Sequence, residues 1–359
     1  MLNRCFRLGA AVALVLPLCA GALYPGEEAP DPTLNKKEAT DNGNRSAEEE
    51  YIKKYPRSFT ARATLSYAIM DLDLVDRKFA NRTIRYMRDE DLYAGVSVYY
   101  KNFGIGSRIG VMDTKNQRRK KVEDFDLTAH YYSPAFGVEL LYRQYGWFYV
   151  TSSPYGVGKL WNALNDGLRM KSESAGINMF LFIQDIFTKD IVTLNKNFSY
   201  GAAFEQTEKQ VKSGGAALVE ISGNYHRMRN NIPIIPVYAH ELFMYMTLYG
   251  LRGWQIAGFG IGVGLAYTIV LPRDFFISAL LSLSFRPSWR ELYTFPYAKR
   301  EFRIDSLRGK GKIYIGYNAD SFFTGVSFIF EGIITPCYTY KAETWSGDLS
   351  LEFFAGVRI

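Results

Sequence analysis

Three histidines (His130, His226 and His240) and a serine four positions before the second of them are the residues best suited to chemistry in this chain of 359 residues. A metal centre would need further nitrogen, sulfur or carboxylate ligands at matched spacing, and the sequence holds no H-x-x-x-H or H-E-x-x-H run. No metal and no cofactor are expected. In "ISGNYHRMRNN" (221–231), Ser222 and His226 suggest a hydrolytic pair. On a strand they would stand about 13 Å apart, beyond hydrogen-bond reach, so a hydrolase would need its serine from a neighbouring strand. The G-x-G-x-G run in "GFGIGVGLAY" (258–267) sits inside an apolar segment with no helix after it, which excludes a dinucleotide loop. No enzymatic activity is expected.

Charged side chains offer a different chemistry. Arg62 shares one phase of a two-residue period with Thr64 and Ser66, Asp126 with His130, and Glu139 with Arg143. Groups of opposite sign facing one enclosed lumen pair with each other, or line a polar path that selects solutes. The block "FEQTEKQVKSGG" (204–215) adds Glu205 and Gln210 between apolar segments, and a polar stretch turned into the lumen is the reading adopted for it.

These positions require strands. In "SFTARATLSYAIM", Phe59, Ala61, Ala63, Leu65, Tyr67 and Ile69 alternate with the polar set, and "DFDLTAHYY" and "AFGVELLYRQY" repeat the pattern. Alternating segments of roughly ten residues have the length of a tilted strand crossing a membrane. Gly258, Gly260, Gly262 and Gly264 occupy one phase and Phe259, Ile261, Val263 and Leu265 the other. A strand puts the apolar set toward lipid and the glycine row toward the lumen, leaving space beside the inner wall or permitting sharp coiling. The alternative to a membrane barrel is a soluble all-β domain.

Thirteen segments qualify: 57–70, 91–101, 103–111, 124–132, 135–150, 174–187, 196–206, 214–226, 253–271, 274–286, 311–319, 322–333 and 349–359. A single-chain barrel with both ends on one side needs an even number, with short periplasmic turns and long extracellular loops. Removing one segment between 174 and 226 restores that pattern downstream and makes 227–252, 287–310 and 334–348 extracellular. The expectation is an all-β, transmembrane antiparallel barrel of about twelve strands, with fourteen as the alternative.

Residues 1–22 read as a cleaved signal peptide, with basic "MLNRCFR", an apolar run and Ala20-Gly21-Ala22. Cys337 is then the lone cysteine, so no disulfide framework is expected. Residues 23–50 carry eight acids against three basic residues and read as a flexible periplasmic linker, leaving 51–359 as the barrel. The basic excess of 51–359 lies mostly between apolar segments, notably in "KNQRRKK" (115–121), and points to outer-membrane lipid and lipopolysaccharide instead of nucleic acid.

"YIKKYPRSFTARA" (51–63), "LYAGVSVYYKNFGIGSRIG" (92–110), "NKNFSYGAAFEQTEKQVKSGGA" (195–216), "IYIGYNADSFFTGVSF" (313–328) and the ending "FFAGVRI" resemble a family of bacterial outer-membrane proteins catalogued as a domain of unknown function. The resemblance implies the barrel and export to the cell outer membrane, and no activity. The chain ends in Ile359, where barrel-assembly machinery usually reads an aromatic residue. The expected function is a narrow pore or passive transporter for a small solute. The alternatives are a structural barrel with a filled lumen that acts through its loops and, more distantly, a membrane-embedded hydrolase.

Overall fold

Alternating side chains build a closed antiparallel sheet in the computed structural model, which describes residues 51–55, 59–76, 83–88, 91–113, 124–146, 148–152, 170–183, 197–234, 251–294, 298–337 and 342–359. The signal peptide and linker expected over 1–50, and the basic run 115–121, lie outside the described residues. In chain order the strands are β1 (Ile52–Lys53), β2 (Phe59–Asp76), β3 (Thr83–Arg88), β4 (Asp91–Tyr100), β5 (Phe103–Asp113), β6 (Phe125–Tyr132), β7 (Phe136–Tyr145) and β8 (Phe148–Ser152). They continue with β9 (Lys171–Ile183), β10 (Lys209–Gln210), β11 (Gly214–Arg229), β12 (Leu251–Val270), β13 (Phe275–Thr294), β14 (Ala298–Asn318), β15 (Phe322–Cys337) and β16 (Ala342–Arg358).

The main sheet has fourteen strands, and β3 and β8 branch from β2 without joining the closed ring, which leaves twelve around the barrel. Closure is made by β16 on β2, in register from Ala342 opposite Asp76 to Arg358 opposite Thr60. Phe59 and Ile359 exchange backbone hydrogen bonds at 2.8 Å where the two chain ends meet. The short turns at 101–102, 133–135, 271–274 and 319–321 share that end, called the lower end below. Such closure satisfies the backbone groups of every wall strand, which hydrocarbon surroundings demand.

The outward phase is apolar: Leu65, Val96, Ile105, Ile177, Ile261, Val263, Ile315 and Phe353 are all exposed. Gly260 and Gly262 face inward, and the space they leave is occupied. A Cβ on Gly260 would stand 2.6 Å from the Ser222 Oγ and 2.9 Å from the Arg286 Cγ, and one on Gly262 would stand 2.5 Å from the Ser284 Cβ. On Gly264 it would meet the Leu218 Cδ1 at 2.9 Å. The glycines on β12 therefore make room for side chains of β11 and β13, the strands on either side.

The candidate strand that is no strand is 196–206. Its residues turn inward at the lower end, and Gly201–Glu205 form a single π-helical turn. Three segments expected as loops are corrected. Regions 227–252, 287–310 and 334–348 contain the upper ends of the wall strands β11 to β16. Their apolar alternation is hidden because the inward phase is charged or polar there, with Arg286, Arg290, Ser306 and Arg308 buried. A bulge at Pro287, between Arg286 and Ser288, also shifts the register with β14. Outward Trp289, Phe302, Ile304 and Leu307 continue the apolar belt on either side of it. Segments 71–90 and 151–173, which fall between the candidate strands, likewise hold the top of β2, all of β3, and ends of β8 and β9.

Candidate functional site in the barrel lumen

The inner wall is layered. At the lower end Phe180, Phe182, Phe276, Tyr314, Phe323 and Phe354 surround the inserted residues Phe198, Tyr200 and Phe204, all of them buried. Tyr200 stacks on Tyr132 with ring centroids 4.3 Å apart, and Phe204 meets the Tyr314 ring edge-on at 5.3 Å. Burying an aromatic ring of this kind contributes about 1.5–3 kcal/mol, so the inserted turn is held mainly by its apolar face.

Polar contacts fix its orientation. Arg62 donates to the Phe204 carbonyl at 3.0 Å and lies 3.5 Å from the Glu205 carboxylate. Tyr99 donates to Glu205 at 2.6 Å. Tyr200 donates to Glu139 at 3.1 Å and accepts from Lys312 at 2.8 Å. At the rim, Arg358 donates to the Gln206 carbonyl, and Asn318 donates to the Glu208 carbonyl at 3.1 Å.

From outside the barrel, β1 pairs with β10, setting Ile52 opposite Gln210 and Lys53 opposite Lys209. Lys53 and Tyr55 both donate to Asp320, in the lower turn between β14 and β15, at 2.6 and 2.9 Å. Those hydrogen bonds, Lys53's first, hold the Asp320 carboxyl down to about 2. Burial, and secondarily the bond to Asp320, pushes the Tyr55 phenol well above its ordinary range. Lys209 adds an ion pair to Asp274 at 2.8 Å.

Above the inserted turn lies a chamber of about 200 Å³ lined by six cations and six carboxylates, a balanced set. Arg108 pairs with Asp126 at 2.5 Å and with Glu352 at 3.0 Å. Arg143 pairs with Asp348 at 3.3 Å, and Lys310 and Lys312 flank Glu139 at 3.3 and 3.5 Å. Arg308 reaches Glu220 at 2.9 Å and Glu331 at 2.7 Å. A second chamber of about 150 Å³ lies higher and shares Arg143, Arg308, Glu331 and Asp348 with the first. Toward the upper end an apolar cluster follows, in which Ile84 and Tyr86 of β3 and Phe148 and Val150 of β8 pack with Leu72, Leu74 and Trp254.

The structure brings Arg62, Asp126, His130, Glu139, Arg143 and Glu205 to the lower chamber. His130 is stacked between Tyr99 and Tyr132 rather than paired with a carboxylate. Gln210 sits apart, bracing the inserted segment by donating to the Asn197 and Lys212 carbonyls at 2.6 and 2.9 Å. The segment 204–215 enters the lumen only in part, since Val211, Lys212 and Ser213 are exposed at the rim. Ser222 and His226 are not partners. His226 Nε2 instead lies 2.9 Å from the Ser172 Oγ on β9.

Sequence reasoning missed Arg308, Lys310 and Lys312, which carry half of the lower chamber's positive charge. Their signal was the run "RGKGK" (308–312), cations on one strand phase, which the expected boundary at 310 split between a loop and the strand 311–319.

A family model described as Domain of unknown function (DUF4421) matches residues 46–358. No curated protein matches the chain. Among solved structures, the chain is similar to the outer membrane protease OmpT of Escherichia coli at 6% identity and a TM-score of 0.37, covering 88% of this chain and 100% of that one. An outer membrane channel from Pseudomonas putida F1 shares 9% identity at a TM-score of 0.33, over 86% of this chain and 98% of that one. The outer membrane protein OprG of Pseudomonas aeruginosa shares 9% identity at a TM-score of 0.23, over 86% and 98%. Similarity this distant carries no activity across to the present lumen.

Proposed function

The chain belongs to the DUF4421 family, and since that membership brings no activity with it, we propose from the lumen alone that this is a gated channel of the bacterial outer membrane, passing a small polar solute. The lower end, where the described chain begins at Tyr51, faces the periplasm. Outer-membrane lipid surrounds the wall, with lipopolysaccharide at the upper rim. Barrel-assembly machinery inserts the protein, and no chemistry is performed on the solute.

One observation carries this reading. The lower closure is a separate chain segment, 197–210, clipped from outside by β1, and above it lies a charged chamber. Wall side chains alone can fill a lumen permanently, but a segment held at its outer end by two short strands and a few ion pairs has a route to release.

The test is single-channel conductance in a planar bilayer, using the refolded mature chain with Lys53→Cys and Lys209→Cys in a Cys337→Ser background. Oxidation ties β1 to β10 and should give a silent barrel, whereas reduction should give discrete current steps. Equal current in both states would remove the gate from the reading. A folded, reduced barrel that never conducts would sink the channel. The structural reading would then stand, and the apolar cluster that fills the upper end favours it.

A further inference from the structure

We propose that the upper chamber is a binding site for a small carboxylate with a short apolar body, held by Arg286. Seven cations line the two chambers, and six of them, Arg62, Arg108, Arg143, Arg308, Lys310 and Lys312, lie within 4 Å of a carboxylate. Arg286 is the exception among the described residues. It is only 5% exposed, its guanidinium donates to the neutral Asn224 amide oxygen, and its Nε has no partner. A buried guanidinium with no carboxylate in direct contact is unfavourable, since Glu220 and Glu331 are engaged by Arg308 instead, and a bound anion relieves it.

The surroundings complete an anion site. Ser288, two residues along β13 and lining the same chamber, is 3% exposed with an Oγ that has no hydrogen-bond partner. The Ser222 Oγ is likewise buried without a partner, and it flanks the Arg286 stem across Gly260. The glycine row therefore gives the arginine the space in which to lie against the wall. The lining carboxylates Glu331 and Asp348 are already paired, with Arg308 and Arg143, which leaves Arg286 as the lining cation without a direct carboxylate partner. A guanidinium with adjacent hydroxyls matches a carboxylate, which accepts two parallel hydrogen bonds from an arginine fork.

The chamber's other lining selects what the carboxylate carries. Leu72, Trp254, Ile256 and Ile333 contribute apolar surface toward the upper end. A cavity of about 150 Å³ with one cationic wall and one apolar wall suits a monocarboxylate of a few carbons. A dicarboxylate or a phosphate would leave charge against the apolar wall.

The site belongs to the wall and stands whether or not segment 197–210 moves, so its test is independent of conductance. Full mature protein is refolded with butyrate or n-butanol present, so that entry is not limiting. Binding is then read as the rise in the temperature at which the heat-modifiable gel band is lost. Butyrate should raise that temperature saturably and n-butanol should not. Arg286→Gln should weaken the butyrate response on the order of ten- to a hundredfold in concentration, and Arg286→Lys by less. If Arg286→Gln does not reach the folded band, Ser288→Ala decides, with a loss of about threefold expected. Equal responses to butyrate and n-butanol, an unaltered response in these variants, or no response of the unmodified protein to butyrate would each overturn the proposal.

Discussion

Lys53 and Asp320 lie 2.6 Å apart although 267 positions separate them in the chain. One belongs to the segment leading into the barrel and the other to a turn near its far end, and both are solvent-facing. The Asp320 carboxyl titrates at about 2 when docked, against about 3.9 in an unfolded chain. Its stabilisation of the docked segment is complete above the unfolded value and is lost as pH falls through about 2. Limited proteolysis between residues 51 and 58 should therefore be slow at pH 4 and above and accelerate below it. Asp320→Asn should show the fast rate already at neutral pH. A pH-independent rate in the unmodified protein would contradict the docking.

Glu139 is the only carboxylate paired with Lys310 or Lys312 among the described residues, and it also accepts from Tyr132 at 2.5 Å. Glu139→Gln strands two buried ammonium groups and should destabilise the barrel by about 3–5 kcal/mol in urea titrations. Replacing all three together, as Glu139→Leu with Lys310→Met and Lys312→Met, should recover most of that loss. A triple variant as unstable as the single one would mean that the network contributes more than relief of its own burial.

Phe204→Ala should weaken the inserted turn more than the wall. The ring is fully buried among Tyr200, Tyr314 and their neighbours, and its loss should cost about 3 kcal/mol. In the unmodified protein, trypsin should reach Lys212, which is exposed, while chymotrypsin should spare Phe198, Tyr200 and Phe204. The variant should become sensitive to chymotrypsin at Tyr200 while the wall stays intact on heat-modifiable gels. Retained resistance would show that the turn does not depend on this ring.

The two phases of β12 should answer differently to substitution. Gly262→Val would press a branched side chain into the Ser284 Cβ and the Leu283 carbonyl, at 2.5 and 2.6 Å from the first added carbon. Overpacking of this kind costs about 1–3 kcal/mol. Ile261, 58% exposed on the opposite face, has room for any side chain, yet Ile261→Lys should cost about 2–4 kcal/mol because the charge meets hydrocarbon. In detergent micelles with a polar surface the lysine penalty should shrink and the valine penalty should persist.

The lower two-thirds of the wall was legible because each strand there repeats with period two and ends at a short turn. Strand parity, together with the alternation of short turns and long connections, indicated that one segment between 174 and 226 does not cross. Residues 198–204 misled because Phe198, Tyr200, Ala202 and Phe204 alternate like a strand, although they pack inside the lumen. The upper wall was illegible for the opposite reason. Arg308 and Lys310 gave it the composition of a loop, and Pro287 broke the phase, while the neighbours that pair those charges come from distant strands. Among the site residues, Glu139 and Arg62 stood out within single strands. Arg286 became meaningful only once its lack of a directly paired carboxylate was visible, and spacing along one strand cannot reveal that.

The strands are very unequal in length. β6 has 8 residues, whereas β13 and β14 have 20 and 21. At about 3.3 Å per residue and a tilt near 40°, the long pair rises to about 50 Å, against a hydrocarbon core of about 30 Å. On the same arithmetic β6 rises only about 20 Å and falls short of that core. Among the described residues, the wall thus carries a parapet of hydrogen-bonded sheet on the β13–β14 flank. Large molecules approaching that end would meet the raised flank first.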